Sequence, residues 1–327
     1  MHSYFRASVI LLILMAFCGH AIGEEIRIVT WNASKLCCEA DVEFRRTELL
    51  KMAQEVEPDI LIVQEVECLE VAEALRDTMH LSDYSIACSS FRVDDNCLNS
   101  LEVAVLSRFD IKDVIEYDPV FEEDNDGYKH RQMRLERRPE LGGIRIRFAR
   151  GFLWVVIPEL HITLSAVHLK SSYGKDPGMQ DNANALKREL CAAAVASKVA
   201  EDLNQYSDYA HIVAGDFNVS HLDKHKSGKR LDIDSYDLAD TLDGYDETHA
   251  LLSFGLIRDV RMRNLMENKT KNTLDSIGFG PIDYIYVAGE RQWLFDEAEI
   301  ITDTYGSDHH PVLTVYHCHD LRSSDSR

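Results

Sequence analysis

The stretch His211-Ile212-Val213-Ala214-Gly215-Asp216-Phe217-Asn218 is the part of this chain that most constrains its fold. An apolar run that stops at a glycine predicts a buried central strand, from His211 to Ala214, which delivers polar residues to the edge of a sheet. Asp216 and Asn218 are two residues apart, so extended geometry would point both side chains the same way. A carboxylate and a carboxamide aimed at one spot suit a clamp for phosphate and water. The alternative is an Asx-rich turn that follows the strand.

Other predicted strands also end in polar residues or are interrupted by them. Burying such groups is costly unless they are paired or bind a metal ion. The pattern therefore predicts a polar site where several strand ends meet. Besides Asp216 and Asn218, the residues concerned are Asn32, Glu65, His168, Asp283, Asp308 and His309.

Two of these carboxylates are candidate metal ligands. Glu65 follows the apolar run 60–63 and Gln64, and Asp308 could complete an oxygen-rich site. Hard oxygen ligands without a thiolate favour Mg²⁺, with Mn²⁺ or Ca²⁺ as alternatives, over zinc.

Three further residues are candidates for proton transfer and phosphate binding. His309 is the candidate general base, and Asp283 is the carboxylate that would orient its imidazole. Asp283 taken alone also fits a plain buried ion pair. His168 offers a hydrogen-bond donor to a phosphate oxygen.

Strands alternate with helices early in the chain, and hairpins appear later. This mixture predicts two packed sheets flanked by helices rather than a single doubly wound sheet. Residues 116–143 are predicted to form a charged loop, residues 219–280 are not assigned, and no repeats or linkers divide the chain. The predicted strands are 26–31, 59–63, 84–87, 103–106, 152–157, 161–167, 211–214, 282–287 and 311–316, and the predicted helices are 44–57, 69–80 and 184–203.

Residues 1–23 have the pattern of a secretory signal peptide. Arg6 supplies the positive charge, residues 9–17 form the apolar segment, and Ala21-Ile22-Gly23 fits a small-x-small cleavage site. The apolar segment is too short for an ordinary membrane span. We therefore expect a secreted or periplasmic protein whose single domain covers residues 24–327.

Export makes disulfides chemically accessible, and seven of the eight cysteines lie after the predicted signal. Cys88 and Cys97 bracket a polar loop, so we expect them to form a disulfide. Cys191 lies in an Ala-rich helix and is expected to be a buried thiol. The cysteine and histidine spacings do not suggest a zinc site.

The charge of the chain limits the classes of partner. The formal net charge is −21 at pH 7, which argues against a bulk electrostatic nucleic-acid binder with a basic face. This negative charge is compatible with an enzyme that binds phosphates through metal ions and a few local cationic side chains.

Six motifs, in their residues and in their order along the chain, resemble those of the endonuclease/exonuclease/phosphatase superfamily, which has the deoxyribonuclease I-like fold. The resemblance runs from about Ile26 to Tyr316. It implies an α+β protein with a four-layer α/β/β/α sandwich, a site at one end of the two sheets, and metal-dependent hydrolysis of phosphodiesters or phosphomonoesters. The motifs are Trp31-Asn32, Gln64-Glu65, Ala166-Val167-His168-Leu169-Lys170-Ser171, Gly215-Asp216-Phe217-Asn218, Ile282-Asp283-Tyr284 and Ser307-Asp308-His309-His310-Pro311.

The same resemblance implies roles for the metal and base residues. Glu65 resembles the main metal ligand, with Asn32 and Asp308 contributing directly or through water. Asn32 is also expected to contact substrate. His309 resembles the general base, and Asp283 resembles the carboxylate that orients it.

The remaining roles concern the phosphate. Asp216 resembles the residue that handles the attacking water or the leaving oxygen, and Asn218 and His168 resemble donors to phosphate oxygens. Arg150 resembles the phosphate-binding arginine of the family, and Arg138 competes for that assignment.

Two differences between this chain and the family pattern narrow the class of substrate. Members that repair abasic DNA tend to carry an Asp where this chain has Ser34, and a Tyr where it has His168. Together with export, this points away from an abasic-site endonuclease. We expect a secreted nuclease, a magnesium-dependent phosphoric ester hydrolase that takes nucleic acid as its substrate.

Two alternatives stay open. One is a phospholipase C-like sphingomyelinase or an inositol-phosphate phosphatase, which would act on phospholipid or inositol phosphate. The other is a binding protein that kept this fold and lost catalysis, because a fold alone does not prove activity. The sequence implies no stable protein partner.

Overall fold

The structure is a computed structural model of the chain. It describes residues 24–90, 101–117, 129–131, 134–135, 144–145, 150–171, 182–222, 246–255, 259–275 and 280–318. The predicted signal peptide, Arg138 and Cys97 lie outside these residues.

The first sheet has six strands in the order β14-β15-β1-β2-β4-β3. Strands β1 and β2 run parallel, and β1 pairs with β15 in the antiparallel sense. Most of these strands are apolar and buried on both faces, as expected for a sheet covered on both sides. Their bounds are β1 Glu24–Leu36, β2 Ile60–Val66, β3 Ser85–Cys88, β4 Glu102–Ser107, β14 Glu299–Ile300 and β15 Val312–Cys318.

The second sheet has seven strands in the order β12-β13-β11-β10-β9-β5-β6. Strands β10 and β11 are parallel, and β9 and β13 flank them in the antiparallel sense. Both sheets are therefore mixed. The bounds are β5 Asp113–Tyr117, β6 Lys129–Arg131, β9 Phe152–Ile157, β10 Ile162–His168, β11 Ala210–Asp216, β12 Arg263–Asn264 and β13 Asp283–Ala288.

The prediction of a charged loop over residues 116–143 is wrong in part, because short strands lie within this segment. Strand β5 reaches Tyr117, and β6 pairs with it in parallel. A separate antiparallel pair joins β7, Arg134–Leu135, to β8, Ile144–Arg145. Strands β6, β7 and β8 are only two or three residues long and rich in charge, so local hydrophobic periodicity does not reveal them.

Five helices lie in the described parts of the chain. They are α1 Glu39–Phe44, α2 Arg46–Val56, α3 Leu69–Thr78, α4 Asn182–Gln205 and α5 Thr248–Ser253. Of these helices, none is long and apolar enough to cross a membrane.

The layers follow from the alternation of side chains along each strand. In β1 and β2, Val29 and Leu61 pack on the outer face against helical residues such as Leu49. Their neighbours Ile28 and Ile60 belong to a second hydrophobic cluster, which also contains the strands of the second sheet and the Ala-rich part of α4. Helices thus cover the outer face of each sheet. The protein is a four-layer α/β/β/α sandwich of the deoxyribonuclease I-like type, as predicted.

The predicted disulfide between Cys88 and Cys97 is wrong. Cys88 is a buried thiol whose Sγ lies 3.4 Å from the carbonyl oxygen of Ser89. Spacing across a loop does not fix where two thiols point, and this one ends β3 facing the helix layer. Cys191 is a buried thiol on α4, as expected. Cys37 is disulfide-bonded.

Candidate active site

Three predicted site residues lie side by side on neighbouring strands of the second sheet. His168 is the partner of Asp216 across β10 and β11, and Asp216 is the partner of Asp283 across β11 and β13. Directly opposed residues point to the same face of a sheet, so these three side chains share one face. All three are at most 1% exposed. Strand pairing thus forms a buried row of one imidazole and two carboxylates.

His309 adds a second imidazole to this row. Its Nδ1 lies 2.9 Å from Asp283 Oδ2. One ligand atom each from Asp216, Asp283 and His309 lie within 4.8 Å of one another. Asp283 thus fixes one imidazole nitrogen and leaves the other, Nε2, for a proton or a substrate.

The loop before β15 holds His309 in place. The His309 N–H donates to Ser307 Oγ at 3.0 Å, and this hydroxyl donates to the carbonyl oxygen of Asn32 at 2.7 Å. Trp31 Nε1 donates to the carbonyl oxygen of His309 at 3.2 Å. The position of His309 is therefore set by the end of β1, in the other sheet from Asp283.

The buried charges move the pKa values of this group in different directions. Burial lowers the pKa of His309, but the carboxylates of Asp283 and Asp216 outweigh it and raise this pKa to about 10. Burial alone would raise the pKa of Asp216, yet the hydrogen bond from His168 and the charge of His309 bring it below its usual range. A positive charge added beside Asp216 would lower the pKa of His309 again, because it would offset the carboxylates that raise it.

Asn32 joins the two sheets at this site. Its Nδ2 donates to Glu65 Oε1 at 3.2 Å and to Asp216 Oδ2 at 3.1 Å. The amide is oriented by the Ser34 N–H, which donates to Asn32 Oδ1 at 2.9 Å. Glu65 accepts a further hydrogen bond from the Lys35 N–H at 3.0 Å. Glu65, predicted from the end of β2, therefore lies in the same cluster as Asp216.

Arg150 and His168 form a pair beside these carboxylates. Arg150 Nη1 contacts His168 Nε2, and the same ring nitrogen lies 3.4 Å from Asp216 Oδ2 and 4.0 Å from Glu65 Oε1. Burial lowers the pKa of His168, and the Arg150 charge lowers it further against the opposing effect of Asp216. Arg150 therefore lies beside His168 and close to the charges of Asp216 and Glu65, and its role in phosphate binding stays a prediction.

The expectation that Asp216 and Asn218 share extended geometry is wrong. Strand β11 ends at Asp216, and Asn218 adopts a left-handed conformation with φ of 56°. Its N–H donates to Asp216 Oδ1 at 2.8 Å, and its Nδ2 donates to the Leu169 carbonyl oxygen at 3.0 Å. The segment is an Asx turn, which is the alternative stated for the sequence, and the turn itself lies in the site.

Gly215 is required just before this turn. Its φ is 148°, and a Cβ atom there would lie 1.8 Å from the carbonyl oxygen of Val167 on β10. Any larger residue would push β10 and β11 apart at the point where His168 and Asp216 pair.

The donor set at the site fits a hard divalent cation. Glu65 and Asp216 present carboxylate oxygens on either side of the Asn32 amide. Asp283 Oδ1 is fully buried and has no hydrogen-bond partner among the described residues. Asp308 is exposed, and its backbone carbonyl accepts from the Asp275 N–H at 2.8 Å. Oxygen donors of this kind suit Mg²⁺, Mn²⁺ or Ca²⁺.

Thr273 is a site residue that the sequence analysis missed. Its Oγ1 accepts from the N–H groups of Ile282 at 2.9 Å and Asp283 at 3.2 Å, and its carbonyl accepts from the His310 N–H at 2.6 Å. It therefore ties the start of β13 to the segment that carries His309. Thr273 lies in the unassigned segment 219–280, and no local pattern marks it.

The match to known families agrees with this arrangement. Residues 29–309 match the model of the Endonuclease/Exonuclease/phosphatase family. This span covers most of the chain and contains every one of the predicted site residues. The chain belongs to the Endonuclease/Exonuclease/phosphatase family.

Several solved structures share its fold. The 3′–5′ exonuclease NExo from Neisseria Meningitidis is 16% identical, with a TM-score of 0.55 and coverage of 89% of this chain and 99% of that chain. TDP2 from C. elegans is 18% identical, with a TM-score of 0.50 and coverage of 93% and 78%. A family protein from Bacteroides thetaiotaomicron is 15% identical, with a TM-score of 0.51 and coverage of 90% and 98%. None of the curated proteins matches the chain significantly.

Proposed function

We propose that this protein is a secreted, metal-dependent phosphodiesterase that hydrolyses nucleic acid. The observation that carries the proposal is the buried His309–Asp283 pair, with an Nδ1–Oδ2 distance of 2.9 Å, directly beside Asp216. An oriented imidazole next to acidic groups suits the activation of a water molecule for attack on phosphorus.

The proposed roles follow from the contacts of each side chain. Positive charge beside Asp216 must first lower the pKa of His309 from about 10, so that its Nε2 is unprotonated. His309 then takes a proton from the attacking water, and Asp283 holds its ring in place through Nδ1. Asp216, whose pKa is lowered, stays ionised and orients the water or the leaving oxygen. Arg150 and His168 supply the positive charge and the ring nitrogen that face the phosphate oxygens.

Asn218 and Asn32 complete the phosphate and metal side of the site. One hydrogen of Asn218 Nδ2 is donated to Leu169, and the second is proposed for a phosphate oxygen. Glu65 is proposed as the main metal ligand, with Asn32 and Asp308 assisting. A bound Mg²⁺ would supply charge stabilisation to the non-bridging oxygens of the phosphate.

Nucleic acid is the substrate class that we favour. NExo from Neisseria, which shares the fold, was solved with a product DNA hairpin. This chain also contains cations next to its candidate site, despite a net charge of −21. Arg150 contacts His168, and Arg45 donates to the carbonyl oxygens of Ala33 and Ser34.

Export is proposed from residues 1–23, and the enzyme is taken to be the single domain 24–327. The motif pattern of this segment is that of a cleaved signal peptide. N-terminal sequencing of the protein recovered outside the cytoplasm should begin near Glu24. Recovery only in the cytoplasm, with Met1 retained, would contradict secretion.

A substrate panel tests the proposed activity. Purified residues 24–327 are incubated with plasmid DNA, RNA, sphingomyelin and inositol phosphates, each with Mg²⁺ and with EDTA. We expect Mg²⁺-dependent cleavage of at least one nucleic acid, reduced at least about 10²-fold by His309→Ala. Cleavage confined to sphingomyelin or inositol phosphates would reassign the substrate, and inactivity on all four would favour a binding protein.

A further inference from the structure

Lys35 lies in a bulge directly beside the candidate site. Asn32 pairs with Gln64, and the next pair along the two strands is Leu36 with Val66. Three residues of β1, numbers 33–35, therefore face the single residue Glu65. Bulges re-aim side chains and are frequent next to active sites.

The backbone of this bulge is in an unfavourable conformation. Ser34, Lys35 and Glu65 have φ values of 52°, 58° and 63°, all in the left-handed region that disfavours residues other than glycine. Such conformations persist only where surrounding contacts hold them, and they cluster at functional sites.

The contacts that hold the bulge come from the site itself. The Lys35 N–H donates to Glu65 Oε2 at 3.0 Å, and the Ser34 N–H donates to Asn32 Oδ1 at 2.9 Å. Arg45 Nη2 donates to the Ser34 carbonyl oxygen at 2.6 Å. Lys35 is thereby fixed next to the carboxylate proposed to bind the metal ion.

The side chain of Lys35 is exposed and makes no ion pair with any residue that the structure describes. The two arginines nearby are engaged differently, since Arg45 is bound to backbone carbonyls and Arg150 to His168. In a chain with 56 acidic and 35 basic residues, an exposed lysine at the site edge offers a local charge for an anion.

We propose that Lys35 binds a phosphate of a polynucleotide substrate next to the phosphate that is hydrolysed. This inference rests on the proposed nuclease function and adds a substrate contact on the first sheet. It predicts a preference for substrates with several phosphates over a single small diester. An ammonium on a flexible stem is suited to such a non-specific phosphate contact.

Lys35→Asn tests the contact, because asparagine tolerates the left-handed conformation but is uncharged. Lys35→Arg keeps the charge, and Lys112→Asn controls for the loss of an exposed lysine, although Lys112 is paired with Asp110 at 2.9 Å. Lys112 is an exposed lysine next to β5, at the end of the second sheet opposite to His168. Melting temperatures check that each variant folds, and Lys35→Gly replaces Lys35→Asn if the latter does not.

The main measurement is the affinity for a fluorescein-labelled 20-nucleotide single strand as a function of salt, by anisotropy with Ca²⁺ in place of Mg²⁺. Loss of one phosphate contact should reduce the slope of log Kd against log salt by about 0.7. We expect Kd to rise about three- to tenfold for Lys35→Asn and to be largely restored in Lys35→Arg. The kcat/KM of Lys35→Asn, relative to that of wild type, should fall further for the 20-nucleotide substrate than for bis-p-nitrophenyl phosphate.

The outcomes separate this inference from the proposed function. If wild type binds and cleaves nucleic acid but Lys35→Asn behaves like Lys112→Asn, the lysine contact is refuted and the nuclease function stands. If wild type neither binds nor cleaves any nucleic acid, the proposed function fails, and the inference fails with it.

Discussion

Asp216 and Asp283 face each other directly across β11 and β13, yet their carboxyl groups have pKa values that move in opposite directions. Burial raises the pKa of Asp283 despite the opposing effect of His309. The pKa of Asp216 is lowered, because the hydrogen bond from His168 and the charge of His309 outweigh burial. Two neighbouring carboxyls with opposite shifts are suited to different tasks in acid–base chemistry.

Removing the imidazole of His309 should disable this chemistry. We expect His309→Ala to lower kcat/KM by at least about 10²-fold at neutral pH, because proton transfer to a positioned base is lost. Asp283→Asn should lower kcat/KM by less, because the His309 ring remains but loses its orientation. Steady-state kinetics on the substrate found in the panel measure both effects.

His310→Ala is the control for this pair. Its N–H is held by the Thr273 carbonyl, and it lies one residue from His309. An inactive His310→Ala combined with an active His309→Ala would show that the general base has been assigned to the wrong histidine.

Glu65→Gln should weaken binding of the divalent cation. The substitution removes a negative charge but keeps the size of the side chain, so the fold should survive. We expect the affinity for Mn²⁺, measured by calorimetry without substrate, to fall at least about tenfold. The exposed Glu73→Gln on α3 is the control, and unchanged Mn²⁺ binding and full activity of Glu65→Gln at limiting Mg²⁺ would remove Glu65 from the site.

Thr273→Val should loosen the His309–Asp283 pair. It removes the hydroxyl that bonds the N–H groups of Ile282 and Asp283, which should cost about 1–3 kcal/mol of unfolding free energy. We also expect kcat to fall. Urea unfolding and kinetics measure the two effects separately.

Thr314→Val is the matched control for this prediction. Thr314 is also buried and donates to a backbone carbonyl, that of Asp296 at 2.8 Å, but it lies within β15 away from the site. It should lose stability without losing kcat. Equal kcat values in both variants would leave Thr273 a purely structural role.

The protein should lose stability as the pH falls from about 6.5 to 4. Burial lowers the pKa of His249 to about 4, from 6.5 in the unfolded chain. Between these pH values the unfolded state binds a proton that the folded state does not. Each such group therefore lowers the free energy of unfolding by up to about 1.4 kcal/mol for every pH unit that the pH falls. His211, whose pKa burial also lowers to about 4, acts in the same direction.

His249→Gln should therefore flatten the fall in unfolding free energy over this range. The control is His317→Gln, because His317 lies near the chain surface with its Nε2 3.0 Å from Asp296. Urea unfolding at pH 7, 6, 5 and 4.5 provides the comparison. An identical pH dependence for His249→Gln and wild type would contradict the lowered pKa of His249.

Much of the candidate site could be predicted from local sequence because polar residues interrupt apolar strands. Glu65, His168, Asp216 and Asp283 all stood out in this way, and strand pairing and hydrogen bonds bring them together. The layer order was predictable as well, since strands alternated with helices before hairpins appeared. These features depend on burial patterns that are written into short stretches of chain.

Other features depended on contacts between distant segments. Thr273 bonds the start of β13 and the segment before β15, so nothing in its own neighbourhood marked it. The thiol state of Cys88 depended on which way β3 presents its last side chain. The short strands β6 to β8 form only through pairing, which hydrophobic periodicity does not record.

The sequence by itself determined which residues are candidates for the chemistry, because a charged or polar side chain at the end of a buried strand is costly without a partner or a ligand. Only the tertiary structure decided how those residues are arranged. Asn32 reaches from one sheet to Asp216 in the other, and His309 is held by contacts from both sheets. Such distances are set by how the two sheets pack, and packing depends on the whole chain at once.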